Sequence, residues 1–121
     1  LELDEARPES LASFVLAHCP CAAWVCVTLG PKGAVVVERG EHNEKIIRVP
    51  ASLLPDGTVR DTTGAGDAFI GAMAAALRRR LPLSDALRLA AHVAAANCTA
   101  DGARGGMPRH EQLPAELRAL L

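Results

Sequence analysis

The chain has 121 residues, 50% hydrophobic and 22% charged, with 13 basic against 14 acidic side chains and a net charge of −1. That length suits one domain, and so apolar and weakly charged a chain is not intrinsically disordered. The balanced charge also excludes a dedicated nucleic-acid or membrane-surface binder, and no apolar run approaches the ~20 residues of a membrane span.

The chain opens on Leu1-Glu2-Leu3-Asp4-Glu5, which is acidic and carries neither an initiator Met nor a charged-then-apolar export signal. An excised or processed piece is expected. Residues 8–18 predict a helix: Pro8 suits a first turn, and Leu11, Val15 and His18 fall on one face with Phe14 beside them. His18-Cys19-Pro20-Cys21 has some metal character, but none of Cys19, Cys21, Cys26 and Cys98 forms a C-x-x-C pair. Buried or half-buried thiols in a reducing cytoplasm are the simpler expectation. The apolar run Trp24–Leu29 predicts a strand buried on both faces. Gly30-Pro31-Lys32-Gly33 is a hairpin-like turn into a second strand over 34–38, and a third strand is expected at 45–49. Residues 50–60, with two prolines and a glycine, should be irregular.

The second half is helical in pattern. From Ala65 to about Arg80, Phe69, Met73, Ala76 and Leu77 recur at helical spacing, and Arg78-Arg79-Arg80 closes the helix where cations favour its dipole. Ser84 predicts an N-cap for a further helix to about Asn97, with a small face at Ala90, Ala91, Ala94 and Ala95. Gly102, Gly105 and Gly106 predict an open loop, and residues 111–121 a final amphipathic helix. The class is α/β, with strands early and helices late.

The stretch Asp61-Thr62-Thr63-Gly64-Ala65-Gly66-Asp67-Ala68-Phe69 carries the chemistry. It is neither a Walker A loop nor a strict dinucleotide fingerprint, since Phe69 stands where the third glycine would be. Its small residues still leave backbone N–H groups uncrowded at a helix N-terminus, which attracts anionic oxygens. Asp67 is out of place in a pure phosphate cradle. It makes sense either as a base that takes a proton from an attacking hydroxyl or as a first-turn acid that favours the helix dipole.

The segment Asp61 to Ala72 resembles the C-terminal signature of the ribokinase (PfkB) family of carbohydrate kinases. Val27-Thr28-Leu29-Gly30-Pro31-Lys32-Gly33 is similar to that family's strand and turn beside the nucleotide, and Gly102 to Pro108 to its closing loop. The resemblance runs from about Trp24 to Pro114 and implies a three-layer α/β/α fold, here its C-terminal, nucleotide-side part. It implies Asp67 as general base, an anion hole of Gly64, Ala65 and Gly66, and nucleotide contacts from Thr28, Gly30, Gly33 and His92. For His92, a packing role stays open. It further implies ATP with Mg²⁺, and a monovalent cation, usually K⁺ in such a family, held by Asp61 and Thr63 on one side. Asn97, Ala100, Gly102 and Gly106 would supply oxygens from the other, although Gly106 replaces a hydroxyl residue common there.

The family's sugar-binding aspartate, early Gly-Gly segment and β-lid lie in an N-terminal part that this sequence does not contain, so its parallel sheet is expected to have an open edge. The function implied is ATP-dependent phosphorylation of a sugar hydroxyl, with ribose the first expectation. Fructose, ketodeoxygluconate and nucleosides are alternatives, as is a non-catalytic nucleotide-binding module. The resemblance implies a cytoplasmic protein with small-molecule partners and allows a homodimer of the full-length enzyme. Whether the 121-residue chain turns over by itself stays open.

Overall fold

The computed structural model describes residues 7–54 and 57–121; the acidic opening Leu1–Glu5 and the proline at position 55 lie outside them. The chain divides into two units, Leu1–Pro50 and Ala51–Leu121.

In the first unit, helix α1 (Pro8–His18) precedes strands β1 (Trp24–Thr28), β2 (Ala34–Glu38) and β3 (Lys45–Val49). The strands form an antiparallel meander in the order β1-β2-β3, with Val27 opposite Val35 and Val36 opposite Ile47. The parallel pairing expected of the sheet is therefore absent among the described strands, because short turns join all three and a short turn can only reverse direction. β1 and β2 meet through a 3₁₀ turn over Gly30–Lys32, closed by the Leu29 N–H donating to the Gly33 carbonyl at 2.7 Å. Gly30 at φ +55° and Gly33 at φ +91° adopt backbone conformations that side-chain-bearing residues avoid, which explains both glycines locally.

Burial differs from the sequence pattern in two places. The strand sunk on both faces is the central β2, whose Ala34, Val35, Val36 and Val37 are all buried, whereas β1 is only half-buried. On α1, the inward residues are Ala12 and Leu16, which pack with Val37, Ala22, Val25 and Val27; Leu11 is half-buried, and Val15 and His18 are exposed. Small Ala12 lets the helix approach the sheet so that Leu16 fills the gap beside Val37. The Arg39 guanidinium then fixes the helix end, donating to the carbonyls of Leu16 at 2.7 Å, Ala22 at 3.1 Å and Cys19 at 3.3 Å. Cys19 and Cys21 are exposed rather than buried, because they flank Pro20 in the turn leaving α1. His18 turns back to bond the Phe14 carbonyl through Nδ1 at 2.8 Å, away from any metal cluster with them.

The second unit contains α2 (Ala65–Arg78), α3 (Leu83–Asn97), α4 (Gly102–Gly105), a 3₁₀ turn over His110–Gln112 and α5 (Ala115–Arg118). Residues 51–54 and 57–60 are irregular, as expected. Helices α2 and α3 pack on each other, burying Phe69, Met73 and Ala76 of α2 and Leu87, Leu89 and Ala90 of α3. Leu77 is 39% exposed, outside that contact. Ser84 is not the cap: α3 starts at Leu83 behind Pro82, whose fixed φ enters the helix without a capping side chain. The expected open loop at Gly102 is the short α4, and the expected final helix breaks at Pro114, which cannot donate to the preceding turn. Leu113 and Leu117 still bury their side chains there. The Leu16→Ala variant should lose about 2–5 kcal/mol of stability in chemical denaturation, whereas Val15→Ala should stay within about 0.5 kcal/mol; equal losses would contradict the observed helix face.

Candidate active site

The end of α3 sets the geometry. The Cys98 carbonyl accepts the amides of Arg60 at 2.8 Å and Asp61 at 3.3 Å, laying the 60–61 backbone against the helix terminus. The Asp61 carboxylate then draws two backbone segments together. Its Oδ1 accepts the Thr63 amide at 2.9 Å and the Thr63 hydroxyl at 2.6 Å, and its Oδ2 accepts the Gly102 amide at 2.8 Å. The Thr63 hydroxyl, then the Thr63 and Gly102 amides, favour the charged form and hold the Asp61 pKa down at about 2. Gly64, the residue before α2, sits at φ +77°, and a Cβ there would lie 2.6 Å from the Ala103 carbonyl oxygen. The start of α2 and the backbone of α4 thus touch, and only glycine allows it.

At the mouth of α2, the Ala65 amide donates to the Thr62 carbonyl at 3.1 Å, so it is already engaged. The amides of Gly64, Gly66 and Asp67 have no acceptor among the described residues. The space where a Gly66 side chain would point is open, with no atom within 4 Å of its Cβ position. Asp67 stands exposed in the same first turn and makes no ion pair among the described residues. Free N–H donors, the positive end of the helix dipole and an uncommitted carboxylate therefore share one helix end, the combination that can hold an anionic group and accept a proton beside it.

Behind this mouth lies a set of oxygens. Asn97, at the last turn of α3, is fully buried; its Nδ2 donates to the Thr63 carbonyl at 3.0 Å and its Oδ1 has no partner. A Cβ at Gly106 would fall on the Asn97 carbonyl oxygen and come within 2.8 Å of that of Ala96. An orphaned acceptor, carbonyls and a single carboxylate suit a monovalent cation, so the residues fit one. Ala100 sits in the turn after α3, and Gly102 is drawn in through its amide to Asp61. Mg²⁺ needs no protein cage when phosphates carry it, and no cluster of three His, Cys, Asp or Glu side chains occurs among the described residues.

A cavity of about 580 Å³ opens nearby, lined among others by Leu54, His92, Ala96, Thr99, Met107 and Gln112. Its mixed apolar and polar lining suits a flat heteroaromatic group. His92 links to Ser52 through a 3.3 Å hydrogen bond at Nδ1, and burial lowers its pKa, partly offset by the Glu116 carboxylate. Sequence reasoning found His92 but missed Leu54, Ser52 and Gln112. Ser52 and Leu54 lie in an irregular stretch and Gln112 in a short turn, with no motif to mark them. Thr28, Gly30 and Gly33 belong to the first unit, where Thr28 ends β1 exposed and the glycines bound the 3₁₀ turn.

The Asp61 clamp sets a pH dependence. Because its folded pKa is lowered from the usual 3.8, its contribution is complete above that value and is lost as pH falls toward about 2. Melting temperatures measured from pH 5 to 2 should fall, and Asp61→Asn should flatten that part of the decline while lowering stability at pH 7. An unchanged acid profile in the variant would refute the clamp.

Known proteins resemble the chain over most of its length. The profile of the pfkB family carbohydrate kinases matches residues 5–110. The chain is 40% identical over 94 residues to the ribokinase of Lactococcus lactis, covering 78% of this chain and 29% of that one. Among solved structures, the ribokinase of Arabidopsis thaliana complexed with ribose and ATP superposes with a TM-score of 0.69 at 34% identity, over 83% of this chain and 31% of that one. A sugar kinase of Pyrococcus horikoshii in complex with ATP gives 0.67 at 33% identity, over 81% and 31%. The chain thus spans about three-tenths of the length of these relatives, in a fold shared with ribokinase-like enzymes. With the family profile spanning most of its length and the signature turn intact, the chain belongs to the pfkB family of carbohydrate kinases.

Proposed function

We propose that this chain supplies the phosphate-binding turn and the general base of an ATP-dependent sugar kinase, with ribose as the first substrate. The observation that carries the reading is the exposed Asp67 carboxylate, free of ion pairs among the described residues, in the same helical turn as the unengaged amides of Gly64 and Gly66. Asp67 would take the proton of a sugar hydroxyl as that oxygen bonds to the γ-phosphorus and the bond from phosphorus to the departing ADP oxygen breaks. The amides of Gly64, Gly66 and Asp67 itself would face the charge spread over the transferring group, which positioning and electrostatics stabilise most in such reactions. Mg²⁺ bound to the phosphates would offset their charge, and a monovalent cation would add fixed positive charge behind the turn.

The cavity beside His92 is the place for the adenine ring. Its apolar walls at Leu54, Ala96 and Met107 would stack or cover the base, and the lowered His92 pKa favours an uncharged ring against it at pH 7. Ribose comes first because ribokinases recur among the relatives, including one solved with ribose and ATP.

The test uses the natural-length protein in an ADP-release assay against ribose, fructose, ketodeoxygluconate and a nucleoside panel. Ribose-dependent ADP formation is expected; ADP binding with no sugar turned over would favour a nucleotide-binding module. Asp67→Asn should lower kcat by about 10²–10⁴-fold while leaving ATP affinity largely intact, and near-normal turnover would exclude it as the base. Gly66→Val should weaken ATP binding by about tenfold or more in calorimetry, because the space it fills is empty of protein but required by phosphate.

A further inference from the structure

The four cysteines are of two kinds. Cys98 is buried, with its Sγ donating to the Ala94 carbonyl at 3.3 Å, and Cys26 is half-buried in β1. Burial raises the pKa of both thiols, which keeps them protonated and unreactive. Cys19 and Cys21 are both exposed, and only Pro20 separates them.

The backbone between them is closed into a turn. The Ala22 amide donates to the Cys19 carbonyl at 2.9 Å, so Pro20 and Cys21 occupy the two central positions, with proline in the first, where its fixed φ suits the bend. An extended chain holds alternate Cα atoms about 6.6 Å apart. The turn draws Cys19 and Cys21 nearer than that, within the ~4.4–6.8 Å Cα window of a disulfide. Arg39 holds this geometry from the backbone side, through its bonds to the carbonyls of Leu16, Cys19 and Ala22. Ala22 anchors the far end against Ala12, Leu16 and Val37. The turn is therefore fixed while both thiols stay open to solvent. Metal ligation does not account for it. Zinc takes four ligands, His18 commits Nδ1 to the Phe14 carbonyl, and no cluster of three His, Cys, Asp or Glu side chains occurs among the described residues.

We propose that Cys19 and Cys21 are a thiol–disulfide exchange site, which a small-molecule disulfide of the glutathione class oxidises to a Cys19–Cys21 bridge across Pro20. The site stands apart from the kinase reading and uses none of its residues. One cysteine thiolate attacks a sulfur of the small disulfide; that S–S bond breaks, one small thiolate departs, and a mixed disulfide remains on the protein. The second cysteine thiolate then attacks the protein-bound sulfur, forming the Cys19–Cys21 bond and releasing the second small thiolate. The two cysteine protons end on the two departing thiolates. The protein thus loses two electrons and two protons, and the oxidant becomes two thiols. An exposed bridge is of the labile kind, so excess small thiol reopens it.

Equilibration of the natural-length protein with glutathione and glutathione disulfide, followed by acid quench, alkylation and peptide mass mapping, tests this. Under oxidising ratios the peptide carrying Cys19 and Cys21 should lose the mass of two hydrogens and escape alkylation at both positions, and glutathione should restore both thiols. Cys19→Ser and Cys21→Ser should each trap a glutathione adduct on the remaining thiol, about tenfold or more above its level in the wild type, where the neighbouring thiol displaces it. Glutathione adducts on both thiols of the wild type, a loss of two hydrogens that survives in Cys21→Ser, or a bridge formed only between two chains overturns the assignment. So does one equivalent of zinc that copurifies with the wild type and is missing from both variants, a result that makes the pair metal ligands.

Discussion

The second unit depends on one carboxylate. Asp61 accepts three hydrogen bonds, two from Thr63 and one from Gly102, and so joins the turn before α2 to the first residue of α4. Together with the Arg60–Asp101 ion pair at 3.1 Å and the Asn97 bond to the Thr63 carbonyl, it holds those backbones close enough for Gly64 to lie against Ala103. The clamp is charge-assisted, and bonds of that kind are about twice as strong as neutral ones. Its low pKa and the position of the α2 mouth are therefore two results of the same contacts.

The clamp creates a helix end whose amides are spare. Gly64 enters α2 from a left-handed conformation with no capping side chain, so no hydroxyl or carboxylate competes for the N–H groups of the first turn. Helices α1 and α3 also start without a capping side chain and with an acid in the first turn, so those features alone do not set α2 apart. What does is the left-handed glycine before it and the open space at Gly66. Small residues complete the arrangement. Ala90 and Ala91 let α3 approach α2 closely, and that packing holds the α3 terminus where Cys98 and Asn97 grip the turn.

Much of this was legible in the chain itself. Asp61, Thr63 and Gly64, which build the turn, and the candidate residues Gly66 and Asp67 all lie within seven consecutive positions, so the pattern survives in the sequence. The two long helices and three strands were also visible, since each is set by periodicity or β-branched runs and bounded by proline or glycine. Faces were harder. Leu11, Val15 and His18 form a respectable stripe, yet Ala12 and Leu16 face the sheet, because closeness of approach favoured the small residue. Ser84 looked like a cap, but Pro82 had already fixed the entry to α3.

The sequence by itself determined the family, the strand and helix inventory and the candidate for the base, because each rests on residues close together in the chain. Tertiary structure alone decided that Ala65 spends its amide on Thr62, that β2 and not β1 is the buried strand, and that Ser52 reaches His92 across forty positions. It also decided the fate of Asn97, which in sequence is one more residue at the end of an alanine-rich helix and in the fold is a buried amide with one oxygen unmet. Apart from the Ala65 bond, which stays within one turn, the physical reason is common to the others. Hydrogen-bond satisfaction and burial are properties of what surrounds an atom, and those surroundings are assembled from segments that the linear order keeps apart.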